Sequence, residues 1–292
     1  MASLKEVKVR ITSVITTQQI TKAMKMVAAS KLRRSQERIF QMRPYAQKLS
    51  AILQNLSGAD SDTGPDWYSV VREEKKILIV VVGADRGLCG SFNSNVFKAT
   101  LKLIQEKYST QLSKGDVTIL PIGKKAHEFF GKRTMPAIED YWNVFQAMSF
   151  AKMSEVGDYL MNAFLKGQYD RIEIVYNEFK NVATQTLRIE AFLPIIPTKS
   201  TTPARVDYIY EPSREEIIAG LIPKSLKTQL YKAVLDSDAA FNGAQMTAMD
   251  KATENAGDIL KELRLTYNRT RQAAITKEIL EIVAGAEALK TA

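Results

Sequence analysis

The sequence predicts an α/β fold in which a long antiparallel coiled coil of N- and C-terminal helices carries an inserted α/β domain. Three observations predict it. Apolar residues recur in steps of three and four at both ends of the chain, the middle alternates strand-like and helix-like periods, and the excess positive charge is confined to the first segment. The 292 residues are 45% hydrophobic and 25% charged, enough for one or two globular domains and too apolar for a disordered chain.

In the first segment the seam runs Leu4, Val7, Ile11, Val14, Gln18, Thr21, Lys25, Ala28, Leu32, Ser35, Ile39, Met42, Ala46, Leu49, Leu53 and Leu56, twelve of the sixteen being apolar. That is a coiled-coil helix, and at about 1.5 Å per residue it would reach roughly 85 Å. Pro44 lies inside it and should bend or interrupt it. Ile20, Met24 and Val27 form a second apolar stripe on another face. Such a stripe is most often core against the same chain, but a two-helix coil has little left to cover it, which favours a partner.

The middle reads as a strand over 76–82, a helix over 93–107, a strand over 117–122 and a short helix over 125–130. A helix over 150–165 and strands over 172–177 and 186–192 follow. Strand and helix in alternation give a Rossmann-like α/β domain with a mainly parallel sheet. Residues 198–212, rich in Thr, Ser and Pro, read as an irregular exit. No proline follows Pro223, and Met246, Met249, Thr253, Ala256, Leu260, Leu263, Tyr267, Thr270 and Ala274 form a second seam, passed after a stutter to Ile275, Ile279, Ile282 and Ala286. The expected division is an N-terminal coiled-coil helix over 1–57, a linker over 58–75, an α/β domain over 76–222 and a C-terminal coiled-coil helix over 223–292.

Charge narrows the function. Residues 1–57 hold eleven Lys/Arg against Glu6 and Glu37, so this segment carries the whole net +9 and the other 235 residues are neutral. A solvated face usually mixes both signs; a one-signed arm implies an acidic partner. One Cys (Cys89) and one His (His127) exclude an internal disulfide and a redundant His or Cys metal site. The apolar runs are too short to cross a bilayer, and the N-terminus has neither a signal core nor a transit-peptide composition.

The most enzyme-like string is GADRGLCGSFN (83–93), between a strand and a helix. Gly83, Gly87 and Gly90 could expose N–H groups to a phosphate, but the spacing fits neither nucleotide fingerprint and no Lys follows, so a tight strand-to-helix turn is favoured. Cys89 lacks a matching base, because His127 reads as a surface residue. The neighbouring pairs Glu215 with Glu216 and Glu139 with Asp140 do not face each other on a helix and are no acid/base pair. No active site, metal site or cofactor site emerges.

QQITKAMKMVAASKLRRSQ (18–36), GADRGLCGSFN, DYIYEP (207–212) and YNRTRQAAITKEILEIVAGAEAL (267–289) closely resemble the gamma subunit of the rotary ATP synthase. The resemblance runs the length of the chain, and I-T-x-E-x-x-E-x-x-x-G-A-x-A, from Ile275 to Ala288, is its most specific signature. It implies a non-catalytic rotor shaft without cofactors, coupling proton flow through a membrane ring to ATP synthesis or hydrolysis in the catalytic head. Its implied partners are the alpha and beta head subunits, a small epsilon-type rotor subunit and the ring of c subunits. It further implies contact with the beta subunits through Lys22, Met24, Lys25, Arg271, Gln272, Thr276 and Glu278. An apolar collar would receive Ile11, Val14, Ile282 and Val283, and the foot and ring contact would use Tyr208, Tyr210 and Glu211. The implied location is peripheral on the cytoplasmic face of a bacterial inner membrane, or on the matrix face in mitochondria. Two departures matter: Gln245 stands where the family often has Arg, and Cys89 alone excludes the paired-cysteine redox switch of plastid relatives. The competing readings are a basic coiled-coil nucleic-acid binder, which lacks stacking aromatics in its arm, and a nucleotide-using enzyme built on Gly83 to Gly90.

Overall fold

The computed structural model describes residues 3–57, 67–133, 135–182, 184–195, 211 and 214–290. The chain forms two compact units, Met1–Ala28 with Met246–Ala292, and Ala29–Gln245. Helix α1 (Leu4–Ser57) and helix α6 (Arg214–Lys290) each contribute to both.

In the first unit α1 and α6 pair antiparallel along the anticipated seam. Val7, Thr21 and Ala28 of α1 are buried, as are Met249, Ala256 and Leu260 of α6. Polar seam residues set the register. The hydroxyls of Thr253 and Thr21 hydrogen-bond at 2.8 Å, Gln18 Nε2 donates to the Thr253 carbonyl at 3.4 Å, and Lys25 Nζ reaches Asp250 Oδ1 at 2.5 Å. Following α1 from Thr21 to its start at Leu4 carries the pairing along α6 from Thr253 to the neighbourhood of Thr270. Beyond Ala274, α6 has outrun its partner.

The expected transfer of the seam to Ile275, Ile279, Ile282 and Ala286 therefore does not occur. All four are exposed, Ile279 by 54% and Ile282 by 71%. The apolar period persists there, but no α1 residue remains to cover it.

The second unit holds a four-stranded sheet in the order β2-β1-β3-β4, from β1 (Ile77–Val82), β2 (Val117–Ile122), β3 (Arg171–Phe179) and β4 (Gln185–Leu193). β1 pairs parallel with both β2 and β3, and β4 closes one edge antiparallel. Every residue of β1 is buried, as a central parallel strand covered on both faces requires. Leu78, Val80 and Val82 point into one core with Val156, Leu160 and Phe164 of α5 (Phe150–Leu165) and Leu226, Leu230 and Val234 of α6. Ile77, Ile79 and Val81 point into the other, with Val96, Phe97 and Ile104 of α2 (Phe92–Lys107) and Ala126 and Phe130 of α4 (Lys124–Phe130).

Several elements differ from expectation. Pro44 does not interrupt α1. It is exposed beside the 63%-exposed Phe40, so the carbonyl it deprives of a donor faces water. α6 begins upstream of Pro223, at Arg214, and buries Ile222 and Leu226 on either side of that proline. A short α3 (Ser109–Lys114) and a 3₁₀ turn at Val144–Ala147 were not anticipated. The exit over 198–212 lies outside the described residues except for Glu211.

Candidate partner-binding surfaces

The glycine-rich turn after β1 is built for close packing. A Cβ on Gly83 would sit 2.9 Å from Ala126 Cβ, and one on Gly123 would sit 2.7 Å from the Gly83 carbonyl, with Gly123 itself at φ +96. Asn93 Oδ1 accepts from the Ala84 N–H at 2.9 Å, and Asp85 Oδ1 accepts from the Lys124 N–H at 2.9 Å, closing the turn onto α4.

In an open α/β sheet a ligand would enter between the carboxyl ends of β1 and β3, where the strand order reverses. Here Asn177, buried on β3, donates to the Phe92 carbonyl at 3.4 Å, and the Phe92 ring meets Phe241 edge-on at 5.8 Å. The crevice is filled by the chain's own side chains. Cys89 is buried beside it, and desolvation pushes its thiol above the usual range, the wrong direction for a nucleophile.

His127 is not the simple surface residue expected. It is half-buried and stacks on Trp142 at 5.5 Å with 15° between planes, and its Nδ1 is buried without a hydrogen bond. The buried acids are structural too. Burial raises the Glu173 carboxyl, but hydrogen bonds to Oε1 from Lys107 Nζ at 2.6 Å, Tyr108 Oη at 2.7 Å and Arg171 Nε at 2.8 Å outweigh it and leave the pKa lowered. Asp236 is fully buried on α6, and burial raises its pKa against the opposing Arg43, whose Nη2 lies 3.2 Å away and also donates to the Phe179 carbonyl at 2.9 Å.

Chemistry is thus poorly provided for, while surface is abundant. In the first unit Lys22 is exposed, Met24 is half-buried, and Lys25 is held by Asp250. Ile20, Met26 and Val27 are exposed, Met26 by 61%. Met26 is missing from the sequence-derived set, although its place beside the Ile20, Met24 and Val27 stripe could have revealed it. On α6, Arg271, Gln272, Thr276 and Glu278 are all exposed, with the Thr276 hydroxyl donating to the Gln272 carbonyl at 2.9 Å. The two sets are not brought together. Met24 is level with Asp250, roughly 30 Å along α6 from Arg271 at helical rise. In the second unit Lys31, Arg33 and Arg34 are exposed, Arg33 facing Glu37 at 3.2 Å. Of the three foot residues, Glu211 is exposed, whereas Tyr208 and Tyr210 lie outside the described residues. Ile11 and Val14 are half-buried in the coil, while Ile282 and Val283 are bare.

A paired coil with one bare apolar end, joined to an α/β unit whose ligand crevice is plugged, defines a protein that works through the chains it binds. The family model described as ATP synthase matches residues 3–289. The chain is 57% identical over 293 residues to the ATP synthase gamma chain of Cytophaga hutchinsonii, with 99% of each chain covered. It is 52% identical over 292 residues to that of Flavobacterium psychrophilum, covering 99% of this chain and 100% of that one. Among solved structures, an OSCP/F1/c-ring assembly of Euglena gracilis mitochondrial ATP synthase in rotational state 3 contains a chain similar in fold, with a TM-score of 0.67, 22% identity, and 98% of this chain and 94% of that one covered. The chain belongs to the ATP synthase gamma chain family. The nucleic-acid reading finds no support in these relatives.

Proposed function

We propose that the chain is the central shaft of a rotary ATP synthase, catalysing nothing itself and coupling rotation of a membrane ring of c subunits to ATP synthesis or hydrolysis in an alpha and beta head. The observation that carries this reading is the bare end of α6. Ile275, Ile279, Leu280, Ile282 and Val283 are exposed on a helix that has outrun its partner. Apolar side chains left open in this way need an outside cover, and a collar of head subunits supplies one that grips no single face. Described helices include none long and apolar enough to cross a membrane, which fits a peripheral subunit of a membrane complex.

On this reading residues 1–57 and 223–292 supply the shaft, 58–75 a linker and 76–222 the foot. Lys22, Met24 and Lys25 on one helix and Arg271, Gln272, Thr276 and Glu278 on the other engage the beta subunits at two levels. Tyr208, Tyr210 and Glu211 make the foot's contact with the membrane ring. Exposed cations opposite acidic loops steer encounter and hold register without gripping hard, as a turning surface requires. The relatives from Cytophaga hutchinsonii and Flavobacterium psychrophilum are bacterial, which supports the cytoplasmic face of an inner membrane.

Co-expression with alpha and beta subunits tests the reading. The full chain should co-purify with them as one assembly with ATPase activity. Failure to co-purify while the chain remains folded would contradict the reading.

A further inference from the structure

A second basic surface lies in the Ala29–Gln245 unit, on residues that the shaft reading does not use. α4 and the turn after it read GKKAHEFFGKR (123–133), and the exposed Lys98 of α2 lies one residue from Phe97, whose ring stacks on Phe129 of α4 at 4.5 Å. Phe97, Lys125, Glu128, Phe129, Lys132 and Arg133 line an open concavity of about 590 Å³.

Its chemistry is specific. The Arg133 guanidinium lies 3.6 Å from the centroid of the Phe129 ring, with Nη1 donating to the Phe129 carbonyl at 3.0 Å. That contact fixes the plane of the fork and leaves its remaining donors for a carboxylate. Glu128, the single acid in the lining, is already engaged by Lys125 at 2.6 Å and by Lys124 at 4.0 Å, and the hydrogen bond from Lys125 holds its carboxyl below the usual range. The charge left over in the lining is positive, from Lys132 and Arg133, although the chain after residue 57 is neutral as a whole.

We propose that this concavity is a docking site for an acidic peptide segment of a partner protein, with a carboxylate on the Arg133 fork and an apolar side chain against the Phe97 and Phe129 rings. Charge complementarity selects the acid. A nucleotide is disfavoured because Phe129 is already stacked with Phe97 and lies under Arg133, so a base would have to compete for stacking, whereas an aliphatic side chain needs only the part of the half-buried ring that lines the concavity. A lipid surface is disfavoured because membrane-binding faces project their apolar residues, whereas Phe97 is buried and Phe129 half-buried as a floor.

Calorimetric titration of the full chain with a short capped peptide of Glu carrying one Leu and one Phe tests this. The parent should bind saturably, and Lys132→Gln combined with Arg133→Gln should weaken binding about tenfold or more. Arg133→Lys, which keeps the charge and loses the fork, should fall between them, and Glu128→Gln should bind more tightly than the parent. A control at the distant Lys224→Gln should match the parent. The proposal is overturned if the parent does not bind the peptide or if the double variant binds as well as the parent. It is also overturned if inorganic phosphate or ATP competes at these residues as strongly as the peptide, or if only phosphatidylglycerol vesicles bind.

Discussion

In the α/β unit β1 buries all six of its residues, while in the coil α1 fully buries only the seam residues Val7, Thr21 and Ala28 and leaves Ile20, Met26 and Val27 open. Strands β1, β2 and β3 are covered by α2 and α4 on one face and by α5 and α6 on the other, so their apolar residues are accounted for within the chain, whereas Leu187 and Ile189 of the edge strand β4 are exposed. Among the described residues α6 has one partner helix in the coil and, past Ala274, none. An apolar residue in those three strands is therefore evidence about folding, whereas an apolar residue off the coil's seam is evidence about other proteins. Substitutions should separate along the same line.

The largest stability loss should come from the core over the sheet. Phe130→Ala removes a fully buried ring from the core around Ile79 and should cost about 3–5 kcal/mol in chemical denaturation. A loss under about 1 kcal/mol would mean that this core is far looser than its burial implies.

Next is the polar clamp within the Ala29–Gln245 unit. Arg43→Met strands the fully buried Asp236 and should cost about 3 kcal/mol near neutral pH, the lower end of the range for a buried pair because Arg43 is 33% exposed. Burial already raises the folded pKa of Asp236 above its unfolded value, so the charged form penalises folding above the folded pKa. That penalty is relieved as pH falls from the folded towards the unfolded value. Removing Arg43 raises the folded pKa further, so the gap between variant and parent should narrow on acidification. A gap that widened would place the carboxylate elsewhere.

At the smallest end, Ile282→Ser with Val283→Ser should change the stability of the isolated chain by less than about 0.5 kcal/mol, since both are already open to water. The same pair should weaken assembly with alpha and beta subunits on native gels. Equal assembly would remove the collar as the explanation for their exposure.

Much of this division was legible in the sequence because it rests on period. Steps of three and four located the seam, and alternation of periods located the sheet, with helix Phe150–Leu165 found to the residue. What period does not carry is the length of the partner. Ile275, Ile279 and Ile282 keep the spacing of a seam, and only the register fixed by Thr21, Thr253, Lys25 and Asp250 reveals that α1 has ended. Buried polar groups were equally silent: Asp236 sits in AVLDSDAAF with nothing to announce Arg43 as its partner nearly two hundred positions earlier. His127, in a string of Lys and Glu, reads as surface until Trp142 is seen stacked on it. The partner-binding residues were named from resemblance, and spacing alone would have stopped at the second stripe.

The most direct test of the shaft reading is Met24→Lys in a reconstituted full complex, comparing protons pumped per ATP hydrolysed with the thermal melting of the isolated chain. Met24 is half-buried beside the exposed Lys22, off the main seam, and an added cation there should disturb the rotating contact with acidic loops more than the coil itself. The pumping ratio should fall clearly while the melting temperature stays within about 2–4 °C of the parent, the shift that roughly 1 kcal/mol produces in a chain of this size. An unchanged pumping ratio, or a loss of coupling matched by an equal loss of thermal stability, would place Met24 in the chain's own packing and contradict the shaft reading.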